Sequence, residues 1–351
     1  MDVSDARTQL RWATVEDEQA LALPGTGERI THPEFAGIEF LHVRAKSLLN
    51  HVPAAAGLPF EWTINAYRGC THACSYCFAR PSHEWLDLDA GRDFESVIVV
   101  KVNAVERLRA ELRSPRWQGQ HVALGTNTDP YQRAEGRYRL TRGIVATLSE
   151  AGNPFSLLTK GTLVTRDLDL LADAAARGVC TGVSLSIPTL DEQVWRDAEP
   201  GTPHPQARLE TVAALAEAGI PAGVMVAPIM PGLSDGRDQL DAVIRGAIEA
   251  GASAITPIVL HLRPGVREQF EPWLTDVAPE LLERYREWYA DSYAVASLRE
   301  RITRTVRELI DHHGGPRSPQ LRAGPEERSG DRRPAAVTTS GGSGGDQLVL
   351  L

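Results

Sequence analysis

Asn65-Ala-Tyr-Arg-Gly-Cys70-Thr-His-Ala-Cys74-Ser-Tyr-Cys77-Phe78 holds three of the four cysteines of the chain, at C-x3-C-x2-C spacing. A disulfide framework spreads its cysteines, whereas a metal site gathers them. The preceding run, Trp62–Tyr67, reads as a strand, so the thiols fall in the loop after it. Three thiolates this close reach three corners of one cubic iron–sulfur cluster, and such cubanes are held by cysteine. The fourth iron is then left without a protein ligand, an open position where a small molecule binds, by the logic of a catalytic zinc site. A structural zinc site is the competing reading, and it needs a fourth ligand. His72 is too close in sequence to its neighbours to close a tetrahedron. Cys180 opens an apolar strand, where a lone cysteine serves as a small core residue.

Outward from this loop, short β-branched runs alternate with helical patterns. Val97–Val102, Val122–Gly125, Phe155–Thr159, Gly182–Ile187, Gly223–Pro228 and Ala254–Leu260 read as further strands. Asn103–Leu112, Leu140–Ala151, Arg166–Arg177, Pro205–Ala218 and Leu240–Ala250 read as helices between them, and Ala278–Ala290 and Val295–His312 as two more at the C-terminal end. Several helices run into EAGNP, ARGVC, EAGIP or EAGAS, where glycine suits a left-handed cap before the return to a strand. Repeated strand–helix units imply parallel strands with right-handed crossovers. Six of them predict an α/β barrel, partial or complete, ahead of an open doubly wound sheet. Residues 1–32 are polar and aperiodic and read as a poorly ordered extension. Residues 314–351, with RAGPEERSGDRRP and TTSGGSGGD, read as a disordered tail. The folded core is then 33–313.

The 351 residues include 37 Lys plus Arg and 46 Asp plus Glu, a net charge of −9. That balance argues against a protein that coats nucleic acid non-specifically. With 42% hydrophobic and 24% charged residues the chain has the composition of a globular enzyme, not of a disordered or coiled-coil protein. No apolar run approaches the ~20 residues of a membrane span. MDVSDARTQLRW lacks the basic start and apolar stretch of a secretory signal, which makes the cytoplasm the expected compartment.

Cys70–Phe78 resembles the signature of the radical S-adenosylmethionine (SAM) superfamily, C-x3-C-x-aromatic-C, with Tyr76 in the aromatic position. The resemblance implies a partial (β/α)6 TIM-like barrel in which Cys70, Cys74 and Cys77 hold a 4Fe-4S cluster. It implies that the amine and carboxylate of SAM chelate the fourth iron, with the backbone around Tyr76–Phe78 against the adenine. It implies too that an electron donor such as flavodoxin or ferredoxin reduces the cluster. SAM is then cleaved to a 5′-deoxyadenosyl radical that takes hydrogen from a substrate. The other class of reading is a non-catalytic metal-binding protein, against which stand the SAM-contact candidates beyond the cysteines.

The likeness continues through GTNTDPYQ (Gly125–Gln132) with Glu135, LLTKGTLVTRDLDLL (Leu157–Leu171), EPGTPHPQARL (Glu199–Leu209) and VMVAPIMPGLSD (Val224–Asp235). These segments resemble the branch related to spore photoproduct lyases, in particular a group of bacterial members with unassigned substrate. The resemblance puts Thr128 and Lys160 at SAM-contacting positions, Lys160 against the SAM carboxylate. Ser184 or Ser186 would face the ribose or carboxylate. Glu199 and Arg208 would orient SAM or pair with each other. Thr126, Asp129 and Glu135 are the catalytic candidates, Asp129 equally a residue that structures its loop. Thr126 stands where the lyases carry a hydrogen-donor cysteine, and a hydroxyl hydrogen is far harder to abstract than a thiol hydrogen. A DNA photoproduct lyase is therefore the alternative rather than the main reading. Arg133, Arg137, Arg139 and Arg142 are candidate phosphate contacts or a solvated helix face. His72, His204 and His261 have no assigned role, although His261 follows the last barrel strand.

Overall fold

The computed structural model describes residues 12–14, 28–53 and 58–317. Its strands are β1 (Trp12–Thr14), β2 (Glu28–Thr31), β3 (Glu39–Ala45), β4 (Leu49–His51), β5 (Trp62–Ile64), β6 (Tyr67–Arg68), β7 (Val97–Lys101), β8 (Val122–Leu124), β9 (Phe155–Thr159), β10 (Cys180–Ser186), β11 (Ala222–Ile229) and β12 (Ala254–Val259). Its helices are α1 (Arg92–Ser96), α2 (Ala104–Leu112), α3 (Arg133–Tyr138), α4 (Leu140–Glu150), α5 (Leu168–Ala176), α6 (Glu192–Ala198), α7 (Pro205–Glu217), α8 (Arg237–Glu249), α9 (Arg267–Val277), α10 (Leu282–Trp288) and α11 (Ala296–His312).

Seven strands form one sheet in the order β12-β11-β10-β9-β8-β5-β4. Neighbours from β5 to β12 are parallel, and β4 pairs antiparallel with β5 at the edge. A helix follows each of the six parallel strands and covers the outside: α5 lies on β10, α7 on β10 and β11, and α11 on β12 and α8. This is a partial (β/α)6 TIM-like barrel with C-terminal helices. Strands covered on both faces must be apolar throughout, and Val122, Phe155, Val183, Leu185, Val224, Val226 and Ile255 are all buried. The helices bury one stripe. In α8, Leu240, Val243, Ile244 and Ala247 recur at helical spacing on the buried face. The four turn glycines, Gly152, Gly178, Gly219 and Gly251, have φ of 65°, 72°, 74° and 77°, the left-handed caps expected.

A second sheet, in the order β1-β3-β7-β6 with β2 also on β3, corrects two expectations. Val97–Val102 is not a barrel strand. β7 is buried at all five positions, which imitates a barrel strand, but it pairs with β3 and β6. Nor is Trp62–Tyr67 one strand. The chain leaves the barrel after Ile64 and joins the second sheet at Tyr67. Lys101 staples the crossing, its backbone N–H donating to Ala66 O at 3.1 Å and its ammonium to Asn65 O at 2.7 Å. Glu28–Thr31, within the expected loose extension, is a strand paired with β3. Most of that extension, and the expected tail beyond Arg317, lie outside the described residues. Among the described residues no helix is long and apolar enough to cross a membrane.

Candidate active site

The C-terminal ends of the six parallel strands surround a cleft of about 1030 Å³, open space at its mouth included. Barrel active sites gather at this face. Cys70, Cys74 and Cys77 line it from the loop after β5, with Tyr76 and Phe78. Thr126 to Asp129 line it after β8, Lys160 after β9, Ser186 at the end of β10, Met225 and Ala227 on β11, and His261 and Arg263 after β12. Cys180 does not line it.

The cysteine loop is held from several directions. Gly69 enters it with φ 81°, and a side chain there would meet Phe94 O at 2.8 Å, so only glycine fits. Thr128 Oγ1 and Gln132 Nε2 both donate to Gly69 O, at 2.6 and 3.0 Å, and Gln132 Oε1 accepts from Thr71 N at 3.0 Å. Buried Arg80 donates to Cys74 O at 3.1 Å and to Glu95 at 2.9 Å. The 198–202 loop closes the other side: Ser75 N donates to Ala198 O at 3.0 Å and Gly201 N to His72 O at 3.1 Å. Burial pushes the three thiols up, Cys74 to about 12 with Glu199 adding to the effect, so they keep their protons until a cation takes their place.

Beside the thiols lies a buried charged group. Lys160 Nζ is 2.8 Å from Glu199 Oε1, 2.7 Å from Ser186 Oγ and 5.5 Å from the centre of the Tyr76 ring. Tyr76 donates its hydroxyl to Glu199, and Arg208 Nη2 lies 2.6 Å from the other carboxylate oxygen. Burial alone would raise the Glu199 pKa, but Arg208 and Lys160 outweigh it and hold the carboxyl at about 2. Burial, reinforced by Glu199, keeps Tyr76 protonated.

The structure brings Tyr76, Phe78, Thr126, Thr128, Asp129, Lys160 and Ser186 together on the cleft wall. Thr128 and Asp129 are engaged in holding the loops around it. The Thr128 hydroxyl proton goes to Gly69 O. Asp129 accepts from Thr159 Oγ1 at 2.6 Å, Tyr131 N at 2.8 Å and Lys160 N at 2.6 Å, and lies 3.4 Å from His72 Nδ1. Burial works against its charge, but His72 and these donors hold its pKa low, the state of a loop-structuring carboxylate rather than a proton acceptor.

Three candidates lie off the cleft. Glu135 is wholly buried behind it, bonded to Tyr67, Arg166 and the N–H of Thr141, with no path to a bound molecule. Arg208 is wholly buried and holds Glu199, Pro203 O and Ser186 O. Ser184 points at Gly223, where a side chain would meet its hydroxyl at 3.0 Å. Two of the four arginines of the cluster are paired with carboxylates: Arg137 with Glu34 at 2.7 Å, and Arg142 with Asp167 at 2.9 Å and Asp169 at 2.8 Å. Sequence reasoning missed Asn127, whose buried Oδ1 lines the cleft with no hydrogen-bond partner among the described residues. It sits inside the quoted GTNTD segment, but nothing in its spacing singled it out.

Among the described residues no three His, Cys, Asp or Glu side chains gather tightly enough for a single metal ion. Three buried thiols on one cleft wall are the donor set of an iron–sulfur cluster. An uncharacterized protein of Mycobacterium tuberculosis is 47% identical over 324 residues, 91% of each chain. Among solved structures, spore photoproduct lyase complexed with dinucleoside spore photoproduct has the same fold, with a TM-score of 0.59 at 18% identity over 78% of this chain and 79% of its own. A mutant of that lyase with bound AdoMet and the same photoproduct gives 0.56 at 18% identity, over 72% and 74%. Residues 64–243, from the first barrel strand to α8, match the radical SAM superfamily. The chain belongs to that superfamily: it is a radical SAM enzyme, and its cofactors are a 4Fe-4S cluster and SAM.

Proposed function

We propose that the protein cleaves SAM reductively and turns the resulting radical on a substrate bound in the same cleft. The observation that carries this reading is that Cys70, Cys74, Cys77 and Lys160 line one cleft at the C-terminal ends of the strands. When bound, the cluster supplies one electron that breaks the S–C5′ bond of SAM, giving a 5′-deoxyadenosyl radical that takes a hydrogen atom. The three thiolates hold the cluster. Lys160 offers its charge to the SAM carboxylate from a position fixed by Glu199 and Ser186. The Tyr76–Phe78 backbone receives the adenine, and Asn127 Oδ1 is an acceptor for a ribose hydroxyl. Thr126 lines the cleft without a thiol to return hydrogen, and Arg137 and Arg142, paired with carboxylates, have little charge left for a DNA backbone. Photoproduct repair is therefore not favoured. The reductant belongs to the flavodoxin or ferredoxin class, and the compartment is the cytoplasm. Anaerobic incubation of the iron-loaded protein with dithionite and SAM tests the proposal by the 5′-deoxyadenosine released. Its absence ends the proposal.

A further inference from the structure

Two buried carboxylates lie beside the cysteine loop, and their surroundings differ. Glu199 is held between Lys160 at 2.8 Å and Arg208 at 2.6 Å. Arg80, whose guanidinium also packs against the loop, has Glu95 at 2.9 Å. Asp129 lines the cleft with Cys70, Cys74 and Cys77, and its side chain is only 9% exposed. Among the described residues no lysine or arginine pairs with it. Lys160 gives Asp129 its backbone N–H at 2.6 Å, but turns its ammonium away to Glu199 and Ser186. The other donors are the Thr159 hydroxyl and the N–H of Tyr131. The ring that faces Asp129, His72 at 3.4 Å, belongs to the cysteine loop itself, two residues from both Cys70 and Cys74.

Hydroxyl and amide donors hold a carboxylate ionised without cancelling its charge. That charge reaches the ligands: burial raises the Cys70 thiol most, and Asp129 comes next. A fixed negative charge repels an added electron, most strongly where water and salt screen it least. Net charge and solvent exposure are among the levers that set the reduction potential of an iron–sulfur cluster.

We propose that Asp129 holds the reduction potential of the cluster low, so that the reduced cluster is a strong electron donor to SAM. Asp129 acts through its field and its fixed position, not by touching SAM or the reacting atoms. Its bonds to Thr159, Tyr131 and Lys160 keep the charge in place beside the loop that carries the ligands. The inference needs the cluster and no particular substrate.

The test is a redox titration of the iron-loaded protein, followed by electron paramagnetic resonance without SAM. Its readout is therefore independent of whether SAM is cleaved. Asp129→Asn should favour the reduced cluster about tenfold or more at a given applied potential, an upward shift of about 59 mV or more for one electron. Asp129→Glu, which keeps the charge, should stay closer to the wild type than to Asp129→Asn. A midpoint unchanged in Asp129→Asn overturns the inference, and so does one raised equally in both variants. Should Asp129→Asn fail to retain iron, Thr159→Val reads the same charge from its other side. It removes the 2.6 Å hydrogen bond that partly offsets the carboxylate, so the midpoint should fall. A midpoint unchanged or raised in Thr159→Val would then overturn the inference.

Discussion

Lys160 and Glu199 meet 2.8 Å apart in a site where the lysine side chain is 14% exposed and the glutamate 1%. Glu199 has Arg208 as a second partner, so Lys160 is the member of the group with charge to share on the cleft side.

Lys160→Met should leave the iron content intact and weaken SAM binding. A charge-assisted hydrogen bond is worth roughly 1.5–3 kcal/mol, so the SAM Kd should rise about tenfold to a hundredfold. An unchanged Kd would remove Lys160 from the cofactor site.

Glu199→Gln attacks the same group from its buried side. Arg208 is wholly buried and would keep its charge with its carboxylate gone. Breaking such a pair costs roughly 3–5 kcal/mol. Denaturant unfolding reads this directly, and a loss near zero would show that the buried arginine finds another counter-charge.

Replacing any one of Cys70, Cys74 or Cys77 by Ala should abolish iron retention and SAM cleavage together. Cys180→Ala should leave both in place, because Cys180 is buried on β10 away from the cleft. Bleaching by Cys180→Ala as complete as by the other three would overturn the ligand assignment.

Gly201→Ala tests how the cysteine loop is held. A side chain at Gly201 would lie 2.1 Å from Thr71 O, a backbone atom that cannot swing aside. The 198–202 loop must then lift from the cysteine loop, at a cost of roughly 1–3 kcal/mol. Purified variant protein should retain less iron than wild type, with far-ultraviolet circular dichroism unchanged. Full iron retention would show that the packing is dispensable.

His83 gives the fold a pH dependence. It is buried, with Nε2 3.0 Å from Val97 O and Nδ1 without a partner among the described residues. Burial chiefly lowers its pKa from 6.5 to about 4. The unfolded chain therefore takes a proton that the folded one refuses. The contribution is complete above pH 6.5 and is lost as the pH falls towards about 4. Between pH 7 and pH 5 the wild type should lose roughly 2 kcal/mol more stability than His83→Gln. Parallel stability curves would mean that His83 is protonated in the fold.

The cysteine spacing and the glycine-capped helices carried the barrel in the sequence, because both are local. The second sheet was not legible. Val97–Lys101 is apolar at nearly every position since it is covered on both faces, and composition does not say which sheet does the covering. Glu39–Ala45 is a strand whose partners lie about 10 residues upstream in β2, about 30 upstream in β1 and about 60 downstream in β7. The same limit explains the site residues. Ser184 and Ser186 differ by two positions on one strand, yet only Ser186, at its end, reaches the cleft. Glu135 stands in the first turn of a helix, where acids are common and exposed. Its burial follows from Tyr67 and Arg166, which arrive from elsewhere in the chain.

The cysteine loop is gripped by Thr128 and Gln132 from beyond β8 and by Ala198 and Gly201 from beyond β10. Thr128 and Gln132 reach it only once β8 has paired with β5, and Ala198 and Gly201 only once β9 and β10 have closed beside them. The loop as a free peptide has no reason to adopt the shape that presents three thiols to one space. Iron and sulfide delivery is therefore a late event in the life of the chain: maturation machinery must meet a folded apoprotein whose cleft is still accessible, not a nascent segment leaving the ribosome.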